Sequence, residues 1–110
     1  MNVTIERDDT IKIIALEGQL DISGSDVARD EVLKLLDNKP TIISMAKVPY
    51  VSSSGLRALL IIAKTAKAKN IKVIYAAAIP EVVDVLQMTG FSKLLRCVPT
   101  IEDAIKELNG

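Results

Sequence analysis

The sequence predicts a single α/β domain spanning residues 1–110, with a mixed, mainly parallel sheet that opens on an antiparallel hairpin, and four helices in the order β-β-α-β-α-β-α-β-α. Three observations predict it. The chain has 110 residues, which is the size of one domain. Apolar residues make up 49% of it but aromatics only 3%, so the core must be built from Val, Ile, Leu and Ala, a mixture suited to strands packed on helices. After two closely spaced strands, a helical pattern separates each later strand from the next, which implies parallel pairing through right-handed crossovers.

The elements follow in order. Residues 2–6, Asn-Val-Thr-Ile-Glu, alternate polar and apolar as a half-buried strand does. Arg7-Asp8-Asp9-Thr10 is a polar turn, and residues 11–17 form a second strand ending at Gly18, so the two make a hairpin. Ser23-Gly24-Ser25 has turn and N-cap chemistry, and a helix follows with Ala28, Val32, Leu35 and Leu36 on one face. Asp37-Asn38-Lys39-Pro40 ends it, and residues 41–46 read as a buried strand.

The longest helix is predicted over residues 54–69, with Leu56, Leu59, Leu60 and Ala63 as its stripe and Lys64, Lys67 and Lys69 near its C-terminal, negative end. Residues 71–77 read as a strand. Pro80-Glu81 opens a helix with Val82, Val85 and Leu86 inward, Met88 expected in the core and Gly90 at its C-cap. Leu94–Val98 reads as a short last strand. Thr100 caps a final helix with Ile101, Ala104, Ile105 and Leu108 inward.

Composition narrows the function. The 14 basic and 14 acidic residues balance, and stacking aromatics are scarce, so direct nucleic-acid binding is not expected. No basic segment followed by an apolar run opens the chain, and no apolar run approaches membrane-spanning length; neither a signal peptide nor membrane insertion is expected. Cys97 is the one cysteine, which leaves no internal disulfide and fits the cytoplasm; it reads as a small buried apolar residue. There is no histidine, so Ser-His-Asp and Cys-His nucleophile sites and the usual zinc sites cannot form. The five glycines fit neither a P-loop nor a dinucleotide fingerprint. No catalytic residue, metal or cofactor is expected, although a site of carboxylate, Lys and Tyr groups stays open.

The most specific local feature is Ser52-Ser53-Ser54-Gly55 at a loop-to-helix junction. A helix N-terminus carries unpaired N–H groups and partial positive charge. A serine there caps the helix, and a phosphate on it would be held by the same groups while adding nearly two negative charges. From the residues alone, an ordinary cap and a phosphorylation switch are both open.

Val48-Pro49-Tyr50-Val51-Ser52-Ser53-Ser54-Gly55-Leu56-Arg57-Ala58-Leu59-Leu60 resembles the signature segment of STAS domains, and Gly18-Gln19-Leu20-Asp21 is similar to that family's Gly-x-Leu-Asp segment. The match of motifs, order and length covers essentially the whole chain. The resemblance implies an anti-sigma factor antagonist. Such a protein binds an anti-sigma factor that is often also a serine kinase, freeing a sigma factor. Phosphorylation releases it, and a serine phosphatase resets it. By position the phosphoacceptor corresponds to Ser53, and Asp21, Ser52, Ser54, Gly55, Leu56 and Arg57 fall at the partner surface, with Gly55 and Leu56 expected to allow close approach of the partner. The chain is expected to be a monomer that forms hetero-complexes.

Two departures matter. Ser52 stands where the family often has Asp before the acceptor, which makes Ser52 a rival acceptor. Ser44-Met45-Ala46 replaces a frequent Asp-Leu-Ser. Two alternatives therefore stay open: an unphosphorylated STAS adaptor of a transport or signalling complex, and a domain that binds a small molecule or nucleotide.

Overall fold

The computed structural model describes all 110 residues. The elements are β1 (Asn2–Asp8), β2 (Lys12–Glu17), α1 (Ile22–Leu35), β3 (Thr41–Lys47), α2 (Ser53–Ala68), β4 (Val73–Ala76), α3 (Pro80–Met88), a 3-10 turn (Phe91–Lys93), β5 (Cys97–Val98) and α4 (Ile101–Asn109). They form one five-stranded sheet in the order β1-β2-β3-β4-β5. β1 pairs antiparallel with β2, and every later pair is parallel. The expected fold class and element order are those observed.

Strand alternation divides the interior into two layers. Ile14, Leu16, Ile43, Met45 and Tyr75 point to one face, where they pack with Ala28 and Val32 of α1, Leu59 and Ile62 of α2, and Val82 and Leu86 of α3. Ile13, Ile42, Ile74 and Ala76 point to the other, where Ala104 of α4 covers them. Three successive crossovers of one hand lay α1–α3 on the same face. The N-termini of α1 and α2 consequently emerge side by side at the carboxyl edge of the sheet.

Several boundaries differ from the sequence reading. α1 begins at Ile22, so Ser23, Gly24 and Ser25 lie inside its first turn, and Asp21 is the cap. α2 runs from Ser53 to Ala68, not 54–69, with Ser52 as its cap. β4 starts late because the Ile71 N–H is held by the Ala66 carbonyl (2.8 Å), with Asn70 in the left-handed region at φ 59°. The last strand shrinks to two residues because the N–H groups of Leu94 and Leu95 both donate to the Phe91 carbonyl, at 2.9 Å each. Leu35 is only partly buried. Met88 is 86% exposed rather than in the core; α3 ends there, two residues after its anchor Leu86 and on the opposite side of the helix. Gly90, at φ 79°, follows the Thr89 cap. Cys97 is partly buried, and burial raises its thiol pKa above the ordinary value.

Candidate functional site

Two strand-to-helix connections meet at the carboxyl edge of the sheet and share one local design. In the first, Leu20 is followed by the cap Asp21, which accepts from the Gly24 N–H at 2.8 Å. In the second, Val51 is followed by the cap Ser52, whose hydroxyl oxygen accepts from the Gly55 N–H at 3.1 Å. Each side chain satisfies an N–H that the helix leaves unpaired. The Leu20 and Val51 segments are joined as a parallel bridge. Leu20 N–H donates to the Tyr50 carbonyl and Ser52 N–H to the Leu20 carbonyl, at 2.9 Å each. The Ser52 hydroxyl donates to that same Leu20 carbonyl at 2.7 Å.

Both glycines are required by contact. A Cβ on Gly55 would lie 2.7 Å from the Leu20 carbonyl oxygen and 2.9 Å from Val51 Cγ1. On Gly24 it would lie 2.1 Å from the Gln19 carbonyl oxygen. The first turns of α1 and α2 are pressed against the loops that precede them, and this fixes where the next residues point. Ile22 and Ser53 hold equivalent places, each one residue beyond its cap.

This geometry separates the three serines. Ser52 is half-buried, and its hydroxyl both donates and accepts within the chain. Ser53 is exposed, and its hydroxyl makes no hydrogen bond within the chain. Ser54 is half-buried and lies beside the groove between α1 and α2. Arg57 is exposed and in no ion pair. Gly55 and Leu56 are buried, Leu56 in the core. The close approach that Gly55 permits is therefore to the chain's own Leu20 and Val51, and these two residues shape the site from inside.

The electrostatics favour an anion. The first turn of α2 contains no acidic residue, so its partial positive charge is unopposed there. Asp21 has its pKa lowered below 3.8, first by the Gly24 N–H and then by the Ser23 hydroxyl. No group of three or more His, Cys, Asp or Glu side chains converges to hold a metal ion.

Two exposed apolar residues at this site escaped the sequence reading. Ile22 is 73% exposed and Tyr50 is 51% exposed, on either side of the Leu20–Val51 bridge. The available signal was Ile22 itself, a large aliphatic residue off the inward stripe of α1. A separate cleft of about 510 Å³ lies under α3, lined by Met45, Leu59, Tyr75 and Val83 among others, and shares no residue with the serine site.

The family model for the STAS domain matches residues 2–104, and the chain belongs to that family. A Bordetella bronchiseptica protein named as the anti-sigma factor antagonist BtrV is 24% identical over 93 residues, which cover 83% of this chain and 80% of that protein. The anti-sigma factor antagonist SpoIIAA, in its unphosphorylated form, has the same fold at a TM-score of 0.77 and 21% identity, covering 99% of this chain and 97% of that one. The murine anion transporter Slc26a9 contains the fold too, at a TM-score of 0.82 and 18% identity over 94% of this chain but 18% of the transporter. No helix of this chain is long and apolar enough to cross a membrane.

Proposed function

We propose that this chain is an anti-sigma factor antagonist whose partner is an anti-sigma factor with serine-kinase activity, and that phosphorylation of Ser53 switches off the contact. The observation that carries this reading is the contrast between neighbouring hydroxyls. Ser53 stands free at the start of α2, while the Ser52 hydroxyl is occupied by Leu20 and Gly55. A kinase needs an exposed hydroxyl, and Ser53 offers one without dismantling a cap.

The switch follows from charge and position. A phosphate on Ser53 adds nearly two negative charges, which the first turn of α2 accommodates, so the fold persists. Ile22, at the start of α1, and Tyr50, in the loop before α2, add exposed apolar surfaces that suit a protein contact. Burying a phosphate there is costly, so the phosphorylated form is rejected. The names of BtrV and SpoIIAA support the antagonist reading. Asp21, Ser54 and Arg57 complete the contact surface around Ser53, a serine phosphatase resets it, and the cytoplasm is where these partners meet.

A second reading is an adaptor within a transport complex, favoured by the likeness to the domain in Slc26a9. Ser53→Asp separates the two, because it abolishes the antagonist's contact and leaves an adaptor's unchanged. The direct test incubates the protein with ATP and an extract of its source cells and maps phosphate by peptide mass spectrometry, with Ser53→Ala as control. Phosphate on Ser53 is the expected result; an active extract that leaves Ser53 unmodified contradicts the proposal.

A further inference from the structure

We infer that the groove between α1 and α2 receives one acidic side chain of the partner protein, with Arg57 supplying the charge and Ser25 the buried hydrogen-bond donor. This rests on the proposed reading that the chain docks with a protein at the serine site. The groove encloses about 230 Å³ and is bordered by Ser25, Asp26, Arg29, Ser54, Arg57 and Ile61.

Two observations point to a ligand there. Ser25 is only 2% exposed, and its hydroxyl is the one buried side-chain nitrogen or oxygen in the chain with no hydrogen-bond partner. A buried hydroxyl without a partner destabilises a fold, and native proteins rarely leave one. Arg57 is the second. Arg7, Arg29 and Arg96 each pair with a carboxylate, whereas Arg57 pairs with none.

The charge balance identifies the ligand. Arg29 is shared between Asp26 (3.4 Å) and Asp30 (3.0 Å), so its charge is already met. Among the residues that border the groove, Arg29 and Arg57 against Asp26 leave one net positive charge, which matches one carboxylate. A dianion would meet additional repulsion from Asp26. Ile61, an exposed aliphatic that borders the groove, suits the methylene stem of a Glu or Asp. The groove also explains how Ser53 controls binding over a short distance. A phosphate one residue from Ser54 sets negative charge beside the carboxylate's seat, and the two repel.

The test begins with the isotope-labelled protein titrated with sodium acetate, against sodium chloride at equal ionic strength, and followed by NMR. Acetate is expected to give saturating shifts at Ser25 and Arg57 that Arg57→Ala and Ser25→Ala each abolish. Ser25→Ala is expected to melt no lower than the parent, because it removes an unpartnered buried hydroxyl; this separates loss of binding from loss of fold. Shifts that match chloride, or that survive both substitutions, overturn the inference. With the purified kinase, Arg57→Glu is expected to weaken binding at least about tenfold. A kinase that binds Arg57→Glu and Ser25→Ala as well as the parent overturns the carboxylate seat while leaving the Ser53 switch intact. Failure of Ser53 phosphorylation, in contrast, counts against the switch and not against acetate binding in the groove.

Discussion

The Ser52 hydroxyl and the Leu20 carbonyl, 32 residues apart in sequence, lie 2.7 Å apart, and this bond ties the cap of α2 to the loop that caps α1. One side chain thus holds two helix starts in register and leaves Ser53 standing clear beside them. Ser52→Ala is expected to cost about 0.5–2 kcal/mol, as the loss of an N-cap does. Ser53→Ala, which breaks no bond within the chain, should stay within about 0.5 kcal/mol of the parent. Urea denaturation of both variants checks the pair, and equal destabilisation would contradict the division of roles.

The two glycines make a sharper structural prediction. Gly55→Ala brings a Cβ to within 2.7 Å of backbone, and Gly24→Ala to within 2.1 Å. Each must push its helix away from the preceding loop. Overpacking of this kind costs about 1–3 kcal/mol, and Gly24→Ala should be the worse of the two. Thermal melts give the ranking, and either variant melting with the parent would show that the loops yield freely.

Acid should weaken the α1 cap. The pKa of Asp21 is lowered in the folded chain relative to 3.8, so its carboxylate contributes stability at pH above that value. The contribution fades as pH falls through the lowered folded value. Asp37 behaves alike, held chiefly by Lys12, whose ammonium lies 2.9 Å away. Asp21→Asn keeps a side-chain oxygen for the Gly24 N–H but no longer titrates. Its melting temperature should therefore fall less steeply than the parent's as pH is lowered below about 4. Identical pH profiles would remove Asp21 from the acid response.

Strain at the end of β4 offers a gain. Ala77 sits at φ 64°, a left-handed conformation that costs a residue with a Cβ about 1–2 kcal/mol. Glycine relieves that cost but loses about 0.5–1 kcal/mol to its freedom in the unfolded chain. Ala77→Gly is accordingly expected to stabilise by up to about 1.5 kcal/mol, measured by denaturant midpoint, with a lower midpoint as the contrary result.

The elements that were legible in the sequence are those with a local signature. The alternation of residues 2–6, the Pro80 start of α3 and the Thr100 cap of α4 each carry their own physics; α3 and α4 form where expected, whereas β1 runs on through Arg7 and Asp8 of the expected turn because these pair with Ile13 and Lys12. What was not legible depends on partners distant in the chain. Nothing near Asp21 shows that Leu20 will bridge to Val51, so the cap chemistry falls on Ser23-Gly24-Ser25 in the sequence and the expected start of α1 is too late. Nothing near Gly55 shows that its missing side chain admits Leu20 rather than a partner. The serine cluster marked the location of the site, but which hydroxyl is occupied and which is free became visible only once the two loops met.

The central claim is tested most directly by the affinity of the purified anti-sigma kinase for this chain before and after phosphorylation at Ser53, with phosphate confined to that residue by mass spectrometry. The account predicts tight binding of the unmodified form and a loss of at least about tenfold, or 1.4 kcal/mol, on phosphorylation, while the melting temperature stays near that of the unmodified protein. Equal affinity of the two forms would contradict it.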